Sequence, residues 1–399
     1  MQCIACKPAF NTKWTSTWTW TALGLVLLSV LVLFHQIPTK GFAISSTSHI
    51  SNPGQTTENT PKDSEISIAE RVTIPNIVHF VYLVKPSPNP TFEFAFRQFI
   101  AIYSAFHYLH PEFIYIHTNV EEHLIEETLK KSTSPWTKAA SKLRAVKFDH
   151  QTPPEHTNSG LPIDKVPNQS DFVRTGVLGK SGGIYLDIDS YVLRDLEPLR
   201  RTGFENVVGR QKNTQICPAV ILSAPGNKMM EAYQALQHTV FDPGRWALHA
   251  TDLLTRLAED FQMPDHQVLI LPHNTFFPFD WVATELKSLY EVHDDQGVPA
   301  VSNKGSQNLT EYIESFQLYG PETWQKDWRS PHVLHGWTSG IKGQLNDQER
   351  EAMFGKFGGI TPAYVLARNS HFAMAVYPAV KHALDNEVLD GIDYDQNQP

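Results

Sequence analysis

Ser170-Asp171-Phe172-Val173-Arg174, followed by Gly182-Gly183-Ile184-Tyr185-Leu186-Asp187-Ile188-Asp189, decides the fold. The pattern reads as a helix, a glycine break and a buried strand that ends in two carboxylates. In an extended strand side chains alternate, so Asp187 and Asp189 are expected on one face and Ile188 on the other. Two carboxylates on one face repel each other unless a proton or a cation sits between them. A hard divalent ion, shared with the phosphates of a substrate, is the natural occupant. A solvated pair of turn acids is the plain alternative. Ser170 is the expected N-cap of a helix from Asp171, and Gly182-Gly183 its stop.

Outward from this block, strand and helix patterns alternate. Ile74 to Tyr82 is an apolar run of strand length, expected as the first, central strand. Thr91 to Tyr108 carries Phe92, Phe96, Phe99, Ile100, Tyr103 and Phe106 at helical spacing and stops before His110-Pro111. Strands are expected at Phe113–His117, Ala145–Phe148 and Ile184–Asp187, then near Asn206–Gly209, Ala219–Ser223, Val268–Pro272 and Pro331–His335. Helices are expected at Glu121–Lys131, Lys228–Gln237 and Ala250–Asp260, and Gln151–Pro167 is a Pro-rich loop. Strand–helix–strand order with these crossovers predicts an α/β, Rossmann-like, doubly wound parallel sheet. Ligands of such sheets bind at the carboxyl ends of strands, where Asp187 falls.

The 33 Lys and Arg against 42 Asp and Glu give a net charge of −9, which argues against nucleic acid as a partner. An anionic ligand must therefore meet a local basic pocket. The window from Trp14 to Gln36 holds no charge, and Ala22 to Phe34 is almost wholly apolar. With Trp14, Trp18 and Trp20 at its edge and Lys7 and Lys13 before it, it predicts a transmembrane signal-anchor with its N-terminus in the cytosol. The rival is a signal peptide cleaved near Gly41-Phe42-Ala43. Either sends the rest into the secretory pathway. The expected organisation is a cytosolic tail 1–13, an anchor 14–36, a polar stem 37–72, a catalytic domain 73–384 and an acidic tail 385–399. Cys3 and Cys6 precede the anchor and Cys217 follows it, so the domain forms no internal disulfide. Sequons stand at Asn168 and Asn308, and Asn168 is expected to be the less used because it abuts the Asp171 helix.

Other side chains join the acid pair as candidates. Asp171 and Arg174, at i and i+3, share one helix face and either pair with each other or converge on a ligand. Arg174 would grip phosphate or sugar as a planar donor; an exposed ion pair of little worth is the alternative. His335, in Val333-Leu334-His335-Gly336-Trp337, follows a late apolar strand and is the third metal-ligand candidate. Tyr82 either stacks on a base or packs in the core. A phosphatase whose first Asp attacks phosphorus also uses Asp-x-Asp after a strand, but it needs a later acidic pair after an apolar strand. Asp294-Asp295 follows His293 instead.

The whole pattern resembles glycosyltransferase family 32, the sugar-binding-region family with a DXD motif. The resemblance rests on Ile74-Pro75-Asn76-Ile77-Val78-His79, His110-Pro111-Glu112-Phe113 and Ser170-Asp171-x-x-Arg174. It continues through Gly182 to Asp189, Leu269-Ile270-Leu271-Pro272 with Phe277-Pro278, and Val333 to Trp337. It implies a GT-A fold and a Mn²⁺- or Mg²⁺-dependent, retaining hexosyltransferase. It implies a donor such as GDP-mannose or a UDP-sugar, carrying mannose, galactose or N-acetylglucosamine, and a glycan or glycolipid acceptor. A type II Golgi membrane protein with a lumenal catalytic domain follows. By the same resemblance Asp187, Asp189 and His335 are metal residues, and Asp187, Asp189 and Arg174 are catalytic. Asp171, Arg174, Tyr82, Tyr185 and Asp187 bind the donor. Two departures stand out. Pro218-Ala219 replaces an Asn-Ala pair, and His249-Ala250-Thr251-Asp252-Leu253 stands where relatives have Gly-Pro. They leave sugar identity open and prompt the alternative of an inactive sugar-binding protein.

Overall fold

The apolar run that begins at Ile74 forms β1 (Ile77–Val81). After it come α1 (Phe96–Leu109), β2 (Phe113–Thr118), α2 (Ile125–Lys131), α3 (Pro135–Ser141) and β3 (Val146–His150). The central block is α4 (Val166–Ser181), β4 (Gly183–Leu186) and β5 (Ser190–Val192). Then follow β6 (Asn206–Arg210), β7 (Ile216–Ser223), α5 (Lys228–Val240), α6 (Leu253–Asp260), β8 (Val268–Leu271), α7 (Ala283–Tyr290) and β9 (Val333–His335). The last helices are α8 (Thr338–Gln344), α9 (Asp347–Phe354), α10 (Pro362–Ala367) and α11 (His371–Asp385). This computed structural model describes residues 72–85, 87, 90–262, 267–293 and 326–389. The expected tail and anchor, nearly all of the stem, Cys3, Cys6, Asp294, Asp295, Asn308 and the chain end after 389 lie outside the described residues. Among those residues no helix is long and apolar enough to cross a membrane.

Seven strands form one sheet in the order β3-β2-β1-β4-β7-β6-β8. The expected all-parallel sheet is corrected in one place. β7 runs antiparallel to both β4 and β6, while the other pairings are parallel. Residues 211–215 alone join β6 to β7, and so short a link can only make a hairpin. Side chains alternate between two cores. Ile184 and Leu186 of β4 enter one, with Val78, Ile114 and Leu222, whereas Tyr185 enters the other with Val208, Ile221 and Leu254. The small sheet of β5 and β9 pairs Ser190 with His335.

Two helix starts also differ from expectation. α1 begins at Phe96, because hydroxyls hold the preceding backbone extended. Thr137 Oγ1 accepts from Phe94 N at 2.8 Å, and Ser134 Oγ donates to Phe94 O at 2.6 Å. α4 begins at Val166, with Pro167 in its first turn, where a missing N–H costs nothing. Ser170 is therefore inside the helix, its hydroxyl donating to Val166 O at 2.9 Å, and is not the cap. Asn168 is buried in that first turn, a poor place for a glycan. At the other end Gly183 has φ +108°, and a Cβ there would lie 2.5 Å from Ile77 O, so only glycine fits.

His79 on β1 ties this junction down. Its Nε2 donates to Gly182 O at 2.9 Å, and its Nδ1 lies 2.9 Å from His117 Nε2. His117 Nδ1 in turn meets Asp149 Oδ2 at 2.8 Å. Burial, reinforced by nearby His117, lowers His79 from 6.5 to about 3 against the opposing pull of Gly182 O and Asp149. Between those values the unfolded chain takes up a proton that the folded chain refuses. Stability therefore falls as pH drops through this window, by up to roughly 1.4 kcal/mol per pH unit. We expect the melting midpoint to fall between pH 6.5 and pH 4, and the slope to flatten in His79→Gln. An unchanged slope in that variant, measured by calorimetry, removes His79 as its source.

Candidate active site

β4 ends at Leu186, so the acid pair lies just beyond the strand and not within it. Asp187 N donates to Ala219 O on β7 at 2.8 Å, and Ser190 N closes a turn onto Asp187 O at 2.8 Å. Asp187 and Asp189 still converge, because this turn, not strand alternation, directs both inward. The β5–β9 pairing then delivers the late histidine. His335 Nε2 lies 3.1 Å from Asp189 Oδ1 and 3.7 Å from Asp187 Oδ2. Gly336 N adds a bond to Asp189 O at 2.8 Å. Thr338 donates both its N–H and its hydroxyl to Asp189 Oδ2, each at 2.8 Å.

Asp171 and Arg174 project from α4 toward the same end of the sheet. Arg174 Nη1 is 2.8 Å from Asp171 Oδ1, and Nη2 is 2.9 Å from Asp187 Oδ1. Its guanidinium stacks on Tyr185, 4.5 Å from the ring centre, and the Tyr185 hydroxyl donates to Asp187 Oδ1 at 2.8 Å. The ion pair is therefore buried, unlike the exposed helix pair weighed from sequence. The guanidinium faces two carboxylates and an aromatic ring. Tyr82, by contrast, contacts Phe92, Phe94 and Glu93 and not the acid cluster.

Two contributors escaped the sequence reading. His249 is fully buried and its Nε2 donates to Asp171 Oδ2 at 3.1 Å. It sits in the π-helical stretch Leu248–Asp252, an irregularity common at functional sites. The only hint was that this stretch departs from its relatives. Thr338 is the other, and nothing in its local sequence links it to Asp189. The Pro218 departure falls where the β6–β7 register shifts, so its missing N–H leaves no regular ladder bond unmade.

Charge explains the protonation pattern. Burial pushes the Asp189 carboxyl up, but the His335 charge and the His335 and Thr338 hydrogen bonds overcome it and hold Asp189 well below the usual range. Burial likewise lowers His335, and the Asp189 and Asp187 charges outweigh it, so its value rises. Burial works against the Arg174 charge too, yet its anionic neighbours keep it firmly charged. Three carboxylates thus share one permanent cation, which leaves room for a second.

The ligand atoms of Asp187, Asp189 and His335 all lie within 4.8 Å of one another. Ligands about 2.1 Å from an ion span roughly 4.2 Å, so this set closes on a divalent ion with small side-chain shifts. Two carboxylates and one imidazole suit a divalent cation.

Residues 97–211, which carry α4, β4 and the acid pair, match the family described as the glycosyltransferase sugar-binding region containing a DXD motif. The match covers the part of the chain that holds the acid pair. Glucan organizing enzyme 1 of Cryptococcus neoformans var. grubii serotype A is 29% identical over 230 residues, covering 55% of this chain and 58% of that protein. The chain thus spans less than two thirds of that relative's length. Among solved structures, the PaToxG glycosyltransferase is similar at 14% identity and a TM-score of 0.34, covering 48% of this chain and 71% of its own. GlyE of Streptococcus pneumoniae TIGR4 is similar at 11% identity and a TM-score of 0.33, covering 79% and 64%. Likenesses this distant add nothing to the assignment. The match supports a transferase over the phosphatase alternative.

Proposed function

We propose that this chain is a glycosyltransferase with a GT-A-type fold that moves a hexose from a nucleotide diphosphate sugar to a glycan or glycolipid acceptor, with a divalent cation held by Asp187, Asp189 and His335. The convergence of those three side chains beyond the end of β4 carries the reading. When bound, Mn²⁺ or Mg²⁺ supplies positive charge where the departing diphosphate gains negative charge. The protein's own residues prepare that site. Thr338 and His335 fix Asp189, while Arg174 and Tyr185 fix Asp187 Oδ1 and leave its second oxygen to face the cluster.

In the retaining reaction the bond between the sugar's anomeric carbon and the phosphate oxygen breaks, and the acceptor oxygen bonds to that carbon on the same face. The acceptor proton passes to the departing phosphate, so products are a glycoside and a nucleoside diphosphate. Asp171, with Arg174 and His249 on its two oxygens, is placed to orient the donor sugar. Tyr82, at the end of β1, is assigned to the nucleotide base. The apolar window 14–36 supports a type II anchor in the Golgi membrane with this domain in the lumen.

Thermal-shift and donor-hydrolysis assays on the purified chain with Mn²⁺ test the reading. The panel is GDP-mannose, UDP-galactose, UDP-N-acetylglucosamine and UDP-glucose, the last prompted by the name of the fungal relative. One donor is expected to raise the melting point and be turned over only with the metal present. Silence from every donor sinks the proposal.

A further inference from the structure

A cavity of about 440 Å³ lies between the first turn of α1 and helices α8 and α9, within the usual range of ligand pockets. Arg97, Lys342 and Arg350 line it, and no acidic residue does among the described residues. For a chain of net charge −9 this is a marked local excess of positive charge. Arg350 is partly engaged, with Leu345 O at 2.7 Å and the Asp347 carboxylate. Arg97 and Lys342 make no side-chain hydrogen bond or ion pair among the described residues. Two unpaired cations facing one cavity favour an anion there.

Thr338 is part of the same wall, and it is also the residue that donates twice to Asp189. The cavity is therefore next door to the acid–histidine cluster. The Arg174 charge is already shared between Asp171 and Asp187. Further positive charge for a leaving group is offered by the cations that share this wall with Thr338.

We infer that Arg97 and Lys342, supported by Arg350, form the diphosphate-holding cluster of this enzyme, with a nucleoside diphosphate as the ligand. This rests on the proposed function. The cluster joins α1, from the start of the fold, to helices near its end, so donor binding would draw the two together.

Isothermal titration of the full chain with inorganic pyrophosphate and Mn²⁺ reads the cavity without a donor sugar. Arg97→Met and Lys342→Met are each expected to weaken pyrophosphate binding about tenfold or more, the worth of one charge-assisted hydrogen bond. Arg97→Lys should recover part of the loss, and all variants should keep the parent melting point. UDP or GDP should displace pyrophosphate one for one. Pyrophosphate affinity within twofold of the parent in the Arg97→Met, Lys342→Met double variant overturns the inference. Simultaneous binding of pyrophosphate and nucleoside diphosphate also overturns it, by assigning the cavity to a separate anion. A parent chain that binds pyrophosphate through these residues yet turns over no donor supports the cluster and counts against the proposed function instead.

Discussion

Asp189→Ala is expected to remain folded and to lose turnover by on the order of 10³-fold or more, the scale seen when a preorganised charge-stabilising group is removed. Folding survives because the damage is local. The substitution strands the Thr338 N–H and hydroxyl, which now donate at 2.8 Å, and frees His335 from its carboxylate partner. Two buried donors left unsatisfied cost about 2–6 kcal/mol together, which most of the 5–15 kcal/mol range of a typical domain absorbs. Asp189→Asn separates charge from packing. Its amide oxygen still accepts from Thr338, so the turn keeps its shape while one unit of negative charge disappears. If the cation is the basis of catalysis, Asn is nearly as inactive as Ala, with a melting point close to the parent's, and Mn²⁺ titration shows weakened binding. Parent-like turnover in Asp189→Asn would end the metal proposal.

How much of this site was legible in the sequence depended on sequence distance. Asp187, Asp189, Tyr185, Asp171 and Arg174 lie within one helix–strand unit, and their types announce their chemistry. Even there the means of convergence differs from strand alternation. A turn closed by Ser190 N onto Asp187 O aims the acids, where alternation along a strand had been expected. His335 was singled out because an apolar strand precedes it, and the fold brings it to Asp189, 146 residues away. Thr338 and His249 were not, since a hydroxyl or a lone imidazole has no local signature for a partner 149 or 78 residues distant. The fold showed the same division. Apolar runs located every strand of the large sheet, but the direction of β7 depended on the short link before it. The start of α1 depended on hydroxyls of Ser134 and Thr137, some forty residues on. The basic cavity was invisible because Arg97 and Lys342 belong to no motif and meet only through the fold.

Arg174→Met is the second large effect, and it is expected chiefly in stability. Arg174 is only 5% exposed and neutralises two carboxylates, Asp171 at 2.8 Å and Asp187 at 2.9 Å. Removing one partner of a buried ion pair leaves the other uncompensated and costs about 3–5 kcal/mol. At roughly 2–4 °C per kcal/mol for a domain of this size class, the melting point should drop on the order of 10 °C. Turnover should fall as well, because Asp187 loses one of the two donors that orient its Oδ1. Arg174→Lys should restore only part of the stability, since a point charge does not reproduce a fork that reaches two carboxylates at once. The decisive variant is Arg174→Met combined with Asp171→Asn. Deleting the stranded Asp171 charge should recover much of the melting point, because His249 Nε2 still has an amide oxygen to donate to. It should not recover turnover, because Asp187 still lacks the Arg174 donor. A residue whose work is to grip phosphate would behave in the opposite way. Arg174→Met would then melt like the parent and lose only pyrophosphate affinity, and Asp171→Asn would rescue nothing. Calorimetry and pyrophosphate titration on the same four proteins therefore distinguish a guanidinium that positions an acid from one that touches the leaving group.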